Sequence, residues 1–378
     1  MKTISSTIQE LSGIASPVID RSNTNRYCVA VKNNDTIESY YFSTPIYRLT
    51  DGALVTRRFR QVGDKYMCEG SSAYITVDRN GIVMSDRHIQ IKVSFEQAND
   101  YVFEEGALRS PYHTIEPTFN GLAFRMRCNK NEKKKIFMST SSPAFKVREN
   151  NVSLSLMREE FTPYATVSSI YSLSQNGACY PMNVRHERTD DNCHTLELCS
   201  TMNADCDMLF ELNLYESKLF HDTPVESLRR DENYAYVSSA FIGKSETFGE
   251  QWLYSRPDFS RIPEINERDI RSATWYLPLY KKSGPKLNAH RMEERFCSFG
   301  STWANKTTPG DRVIPVDNAT NYLSVDATKL VHEQKTTFSS QGFAIIPVEK
   351  ESGFTVFATG DNSFTPQILR IIYDKYHI

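Results

Sequence analysis

The chain is 378 residues long, enough for two domains, and its 44 basic and 46 acidic side chains leave a formal net charge of −2. Near-neutrality argues against a dedicated nucleic-acid binder, which would carry a basic stripe or patch. No window approaches the roughly 18 consecutive apolar residues of a membrane helix, so no membrane insertion is expected.

The opening MKTISSTIQELSGIASPVID carries Lys2 but no apolar h-region, so it does not read as a secretory signal. Synthesis in the cytoplasm is expected. The final site stays open among a cell surface, a spore surface and a phage-like particle. Residues 3–12 are expected to form a short amphipathic arm within a terminal extension, 1–15.

From there period-2 segments dominate. YFSTPIY (41–47) and SAYITV (72–77) come first. IQIKVSF (89–95) alternates throughout, with Ile89, Ile91, Val93 and Phe95 on one face and Gln90, Lys92 and Ser94 on the other. That is the pattern of a strand with one buried face. LAFRMRC (122–128), NVSLSLM (151–157), MLFELNLY (208–215), TWYLPLY (274–280), GFAIIPV (342–348), FTVFAT (354–359) and ILRIIY (368–373) read similarly. Turn residues punctuate the run at Asp51-Gly52, Gly63-Asp64, Asn80-Gly81, Asn120-Gly121, Gly284-Pro285, Pro309-Gly310 and Gly360-Asp361. Gly81 in DRNGIV is a type I′ hairpin signal. Lys133-Lys134-Lys135, the longest basic run, reads as a solvated loop or strand edge.

Helical signals are few. SVDATKLVHEQ (324–334) places Ser324 or Asp326 as N-cap before Ala327, Leu330 and Val331. The polar stretch 216–236 holds Pro224, lacks alternation and reads as a boundary. The expected fold is all-β: two β-sandwich, jelly-roll-like domains in series at 16–220 and 233–378, a linker at 221–232, and one or two short helices.

No nucleophile elbow, phosphate loop, dinucleotide fingerprint or zincin helix occurs, and no cofactor is implied. HRMEERF (290–296) comes near an inverted zinc motif, but Glu294 stands where a histidine is needed. A carboxylate pair for glycoside hydrolysis is not legible, because its spacing is spatial. The eight cysteines include no C-x-x-C, and reduced thiols are the default for a chain with this much apolar sequence.

RHERTDDNCHTLELC (185–199) is the densest cluster of ligand-type residues. On a strand, Cys193, Thr195, Glu197 and Cys199 share one face, and His194, Leu196 and Leu198 the other. Two readings stay open. One is a polar hairpin turning at Asp190-Asp191-Asn192, with the thiols filling core space. The other is a cross-link or metal site using Cys193, Cys199, Cys206 and His194.

Aromatics supply the remaining candidates, with Tyr 20 and Phe 21 in the chain. In FGEQWLYSRP, Trp252 and Tyr254 alternate with Gln251 and Leu253. Exposed planar rings stack on sugars or anchor interfaces, so Trp252, Tyr254 and Tyr280 are candidate ligand contacts. Arg256 and Lys281 beside them would suit an acidic polymer. The alternative is that one ring of the Trp252/Tyr254 pair faces the core.

Several C-terminal segments occur together in a familiar order: NYAYVSSAF, FGEQWLYSRP, IPEINERDIRSATWYLPLYKKSG, FCSFGSTWANKTTPG, LSVDATKLVHEQ, GFAIIPV and FTVFATGDNSFTPQILRIIY. In that order and spacing, residues 231–378 resemble the DNRLRE domain, a bacterial β-sandwich family. The chain departs from the pattern at SRPDFSRIPEIN, where Pro257 and Pro263 interrupt an apolar strand. YYFSTPIYRLTDGALV and PTFNGLAFRM are similar to a β-rich region that precedes this domain in some Firmicutes proteins. The resemblance implies a non-catalytic surface module, related to modules that bind acidic polysaccharides. It also implies that Thr302 and Trp303 form a core peg, with the indole between sheets near the VDATKLV helix; Trp275 is separately expected in the core.

The expected function is therefore a non-enzymatic structural or surface-assembly role, with the chain itself or other surface proteins as partners. A carbohydrate-binding module for an acidic polysaccharide is the alternative. A hydrolase on the N-terminal domain is a third.

Overall fold

The computed structural model describes residues 4–20, 24–46, 58–69, 74–85, 89–97, 99–141, 146–214, 218–262, 264–282, 284–318, 320–337, 341–348 and 352–374. Three antiparallel sheets and, among the described residues, three short α-helices make an all-β fold. The expected turn at Asp51-Gly52 lies outside the described residues.

The chain divides into two compact units, and not as two domains in series. One comprises Met1–Val55, Ser217–Ala235 and Ala240–Ile378; the other comprises Thr56–Glu216 and Tyr236–Ser239. Strand pairing explains the first. Thr36–Phe42 lies against the C-terminal strand Ile368–Asp374, with Tyr41 opposite Leu369. The guanidinium of Arg370 donates to Glu38 Oε2 at 2.7 and 3.0 Å. Half of the expected linker 221–232 is strand: Phe220–Glu226 pairs along its whole length with Gly249–Pro257.

The sheet of this unit folds over itself through Ile270–Lys281. The first part of that strand pairs with Ile368–Asp374 and Tyr322–Asp326. Its end pairs with Gly353–Ala358, Leu279 opposite Phe357 and, after a register shift, Lys281 opposite Val356. The resulting sandwich closes on Trp275, which is 0% exposed and lies 4.6 Å from the Phe220 ring and 4.8 Å from Phe343. The helix Thr328–Thr337 begins where expected, with Asp326 Oδ1 accepting from Thr328 N, and buries Leu330 and Val331.

The second unit is a sandwich of a nine-stranded and an eight-stranded antiparallel sheet. Its core draws on both faces, including Ile91, Val93 and Phe95 from one sheet and Phe124 and Phe210 from the other. The alternation read from 89–95 is thus realised in Gln90–Phe95. The hairpin at Asn80-Gly81 forms, but its two turn residues are Arg79 and Asn80, neither with positive φ, so it is not type I′. Gly81 sits at φ 137, where a Cβ would meet the Val93 carbonyl oxygen at 2.1 Å. The glycine is needed for close strand approach.

Candidate functional site

In the second unit a groove of ≈ 310 Å³ opens where the chain passes from one sheet to the other. Three pieces build it. The first is the end of Gln90–Phe95 with Glu96 and Gln97. The second is the turn at 110–113. The third is the connection from Gly121–Cys128 through 129–132 into Lys133–Thr140. Ser110 fixes the second piece: its Oγ accepts from Tyr112 N at 3.3 Å and His113 N at 3.1 Å. That turn holds the Tyr112 ring outward, 49% exposed, while His113 turns in against Phe95, with ring centroids 4.4 Å apart. Burial, helped by the charge of Lys134, pushes the His113 imidazole down to about 4, so it is neutral near pH 7.

The connection is fixed by Glu132, whose carboxylate accepts from Asn129 N at 2.7 Å and pairs with Lys134. Partial burial works against ionisation of Glu132, but these hydrogen bonds outweigh it and hold its carboxyl below the usual range. Arg127 and Lys135 also line the groove, both exposed. Lys135 stands opposite Glu197 across a strand pair, which answers part of its charge. Three cations therefore meet two carboxylates in the lining, and one of those, Glu132, is already tied to Lys134. A half-exposed ring flanked by exposed cations can stack on a planar or pyranose face and hold an anionic substituent.

None of these residues was a sequence-level candidate. The basic run 133–135 reads as a solvated loop or strand edge, and only the packing of the two sheets brings it beside Tyr112.

The sequence candidates fall elsewhere. Tyr254 is 0% exposed and donates to the Thr307 carbonyl at 2.6 Å, so it is no stacking ring. Trp252 is half-buried, 5.0 Å from Trp303, and its Nε1 donates to Glu250. Trp303 is not between the sheets. It belongs to the segment that covers the outer face of Gly249–Pro257, where it packs with Trp252 against Phe296 and Met292. Lys306 Nζ lies 3.9 Å from the Trp303 ring centroid and 5.1 Å from that of Trp252, so both rings already face a cation of the chain itself. Arg256 is half-buried. The hydroxyl of Tyr280 bonds with Thr365 and accepts from Asn362, and Lys281 lies 3.9 Å over Phe354. The structure does not gather these five residues into one site.

The cysteine and histidine cluster also separates. Cys193 and Cys199 are half-buried on one strand of the eight-stranded sheet, His194 is buried on its opposite face, and Cys206 lies in the other sheet. Among the described residues no disulfide joins any cysteine, and no group of three or more His, Cys, Asp or Glu converges as a metal site. No described helix is long and apolar enough to cross a membrane.

No family model matches the chain, and no curated protein does. Among solved structures, the GH31 α-xylosidase from Xanthomonas citri aligns at 7% identity with a TM-score of 0.10, over 96% of this chain and 38% of that one. A likeness at that score carries no argument about fold or activity.

Proposed function

We propose that this protein is a non-catalytic β-sandwich protein that binds an acidic polysaccharide in the groove of the second unit. The observation that carries the reading is Tyr112, half-exposed beside Arg127 and Lys135 around a ≈ 310 Å³ groove. That volume is at the lower end of the range for small-ligand sites, which runs from roughly 300 to 1,000 Å³. Glycoside hydrolysis would call for a carboxyl held protonated near neutrality. Glu132 in the lining is instead held ionised. The resemblance of residues 231–378 to the DNRLRE domain belongs to the same proposal. Affinity electrophoresis through gels containing polygalacturonate or a neutral glucan tests it. Retardation by the acidic polymer alone, lost in Arg127→Ala/Lys135→Ala, supports the reading. Equal mobility in both gels refutes it.

Surface assembly is the second reading, favoured by one observation. The short strand Val102–Glu104 ends the nine-stranded sheet, with Val102 57% and Phe103 45% exposed. An apolar terminal strand offers its outer edge to another chain. Light scattering with and without reductant tests this. Oligomers that fall apart in Phe103→Lys support it, and a monomer at high concentration contradicts it.

A further inference from the structure

We infer that Cys128 and Cys206 form an oxidant-responsive dithiol that closes into a cross-strand disulfide. The inference is independent of the polysaccharide reading. The two residues sit directly opposite each other where Gly121–Cys128 pairs with Cys206–Leu214. Directly opposed residues of antiparallel strands hold their Cβ atoms roughly 4.5–5.5 Å apart, and a disulfide takes roughly 3.5–4.5 Å, so a small backbone adjustment suffices. The pairing sets the two thiols side by side on the core-facing side of the sheet. Cys128 Sγ also lies 3.0 Å from the Glu132 carbonyl oxygen and 3.4 Å from that of Asn129, which fixes its orientation.

Both side chains are buried, at 1% and 4% exposure, yet the pair lies at the margin of the sandwich. Cys128 ends its strand and Cys206 begins its own, with exposed residues 129–131 and 203–205 adjoining them. Local opening at these strand ends, short of global unfolding, is the route by which a small oxidant would meet the sulfurs. The neighbouring Cys128 thiol lowers the pKa of Cys206, so Cys206 is the member of the pair that deprotonates first and serves as the attacking group.

Hydrogen peroxide is the oxidant class that fits. The Cys206 thiolate attacks one peroxide oxygen, the O–O bond breaks, and the departing hydroxide takes a proton to become water. Cys206 is then a sulfenic acid. The Cys128 sulfur attacks it, the S–S bond forms and the S–O bond breaks, and the oxygen leaves as a second water with the Cys128 proton. Two thiols lose two electrons and two protons, and one peroxide becomes two waters.

The test uses the full chain carrying Cys297→Ser, which removes the exposed thiol and leaves seven of the eight cysteines. The reduced protein is treated with hydrogen peroxide, alkylated under denaturing conditions, digested without reductant and mapped by mass spectrometry. The expected result is a Cys128–Cys206 linked peptide, restored to two thiols by dithiothreitol, with monomer mobility on a non-reducing gel. In Cys206→Ser, Cys128 is expected to remain fully alkylatable. Linkage of Cys206 to Cys193 or Cys199, over-oxidation of Cys206 with Cys128 still free, or no reaction would each overturn the inference. The mapping of the parent chain stands whether or not Cys206→Ser folds.

Discussion

His186 Nε2 lies 2.9 Å from His194 Nδ1, and His186 Nδ1 lies 2.9 Å from Glu149 Oε2. The chain of three links the edge strand Lys146–Asn150 of one sheet to Met182–Arg188 and Cys193–Ser200 of the other. The contacts are satisfied when His186 Nδ1–H donates to Glu149 and His186 Nε2 accepts from His194 Nδ1–H. Asn151 O accepts from Val184 N at 2.7 Å along the same edge.

Burial, then the charges of His186 and Arg188, lower the pKa of His194, while Asp190 opposes them. The folded state therefore holds His194 neutral where the unfolded chain would protonate it, near pH 6.5. Stability from this group is present above that pH and lost as pH falls through it. Urea midpoints measured between pH 7.5 and 5.5 are expected to fall, and His194→Gln is expected to flatten the profile. An equal slope in both proteins would contradict the assignment.

Asp222 shows the opposite sign. Its carboxyl is fully enclosed, and burial, then the neighbouring Asp361, push its pKa up to about 8. Oδ2 accepts from Gly360 N and from Gln367 Nε2 at 3.0 Å, and Oδ1 has no hydrogen-bond partner. The folded state keeps a proton that the unfolded chain releases near pH 4. Stability from this group is complete below that pH and lost as pH rises through about 8. Asp222→Asn keeps the accepting oxygen and removes the ionisation. Its melting temperature is expected to exceed that of the parent at pH 8, with the gap closing toward pH 4. A pH-independent difference would contradict the account.

Trp275 and Trp303 are expected to differ sharply. Trp275 is enclosed between Phe220 and Phe343 and its Nε1 donates to Gln367, so Trp275→Ala should destabilise by about 3–5 kcal/mol. Trp303 is half-buried on the outer face, and Trp303→Ala should cost clearly less. Chemical denaturation of the two variants decides the order.

The period-2 reading recovered strands because alternation reports which side chains share a face. It did not report what covers each face. In Gly249–Pro257, Leu253 points into the Trp275 core. Trp252 and Tyr254 point the other way, under the segment that carries Phe296 and Trp303. A strand covered on both faces carries no sign of which aromatic is exposed. Unit boundaries were illegible for a related reason. Tyr41 pairs with Leu369, a contact between the two ends of the chain that local pattern cannot register. The groove depends on the same kind of information, since Ser110 aims Tyr112 locally and the hairpin pairing His113 with Met126 sets Arg127 beside it, but only sheet packing brings Lys135 from the other sheet.

The most direct test of the polysaccharide reading is isothermal titration of the full chain with an oligogalacturonide at low salt, comparing the parent with Tyr112→Ala and with Arg127→Ala/Lys135→Ala. Binding by the parent is expected, weakened about tenfold by loss of the ring, since roughly 1.4 kcal/mol is a factor of ten, and abolished by loss of the two cations. Binding of equal strength in all three proteins, or none by the parent, would contradict the assignment of the groove.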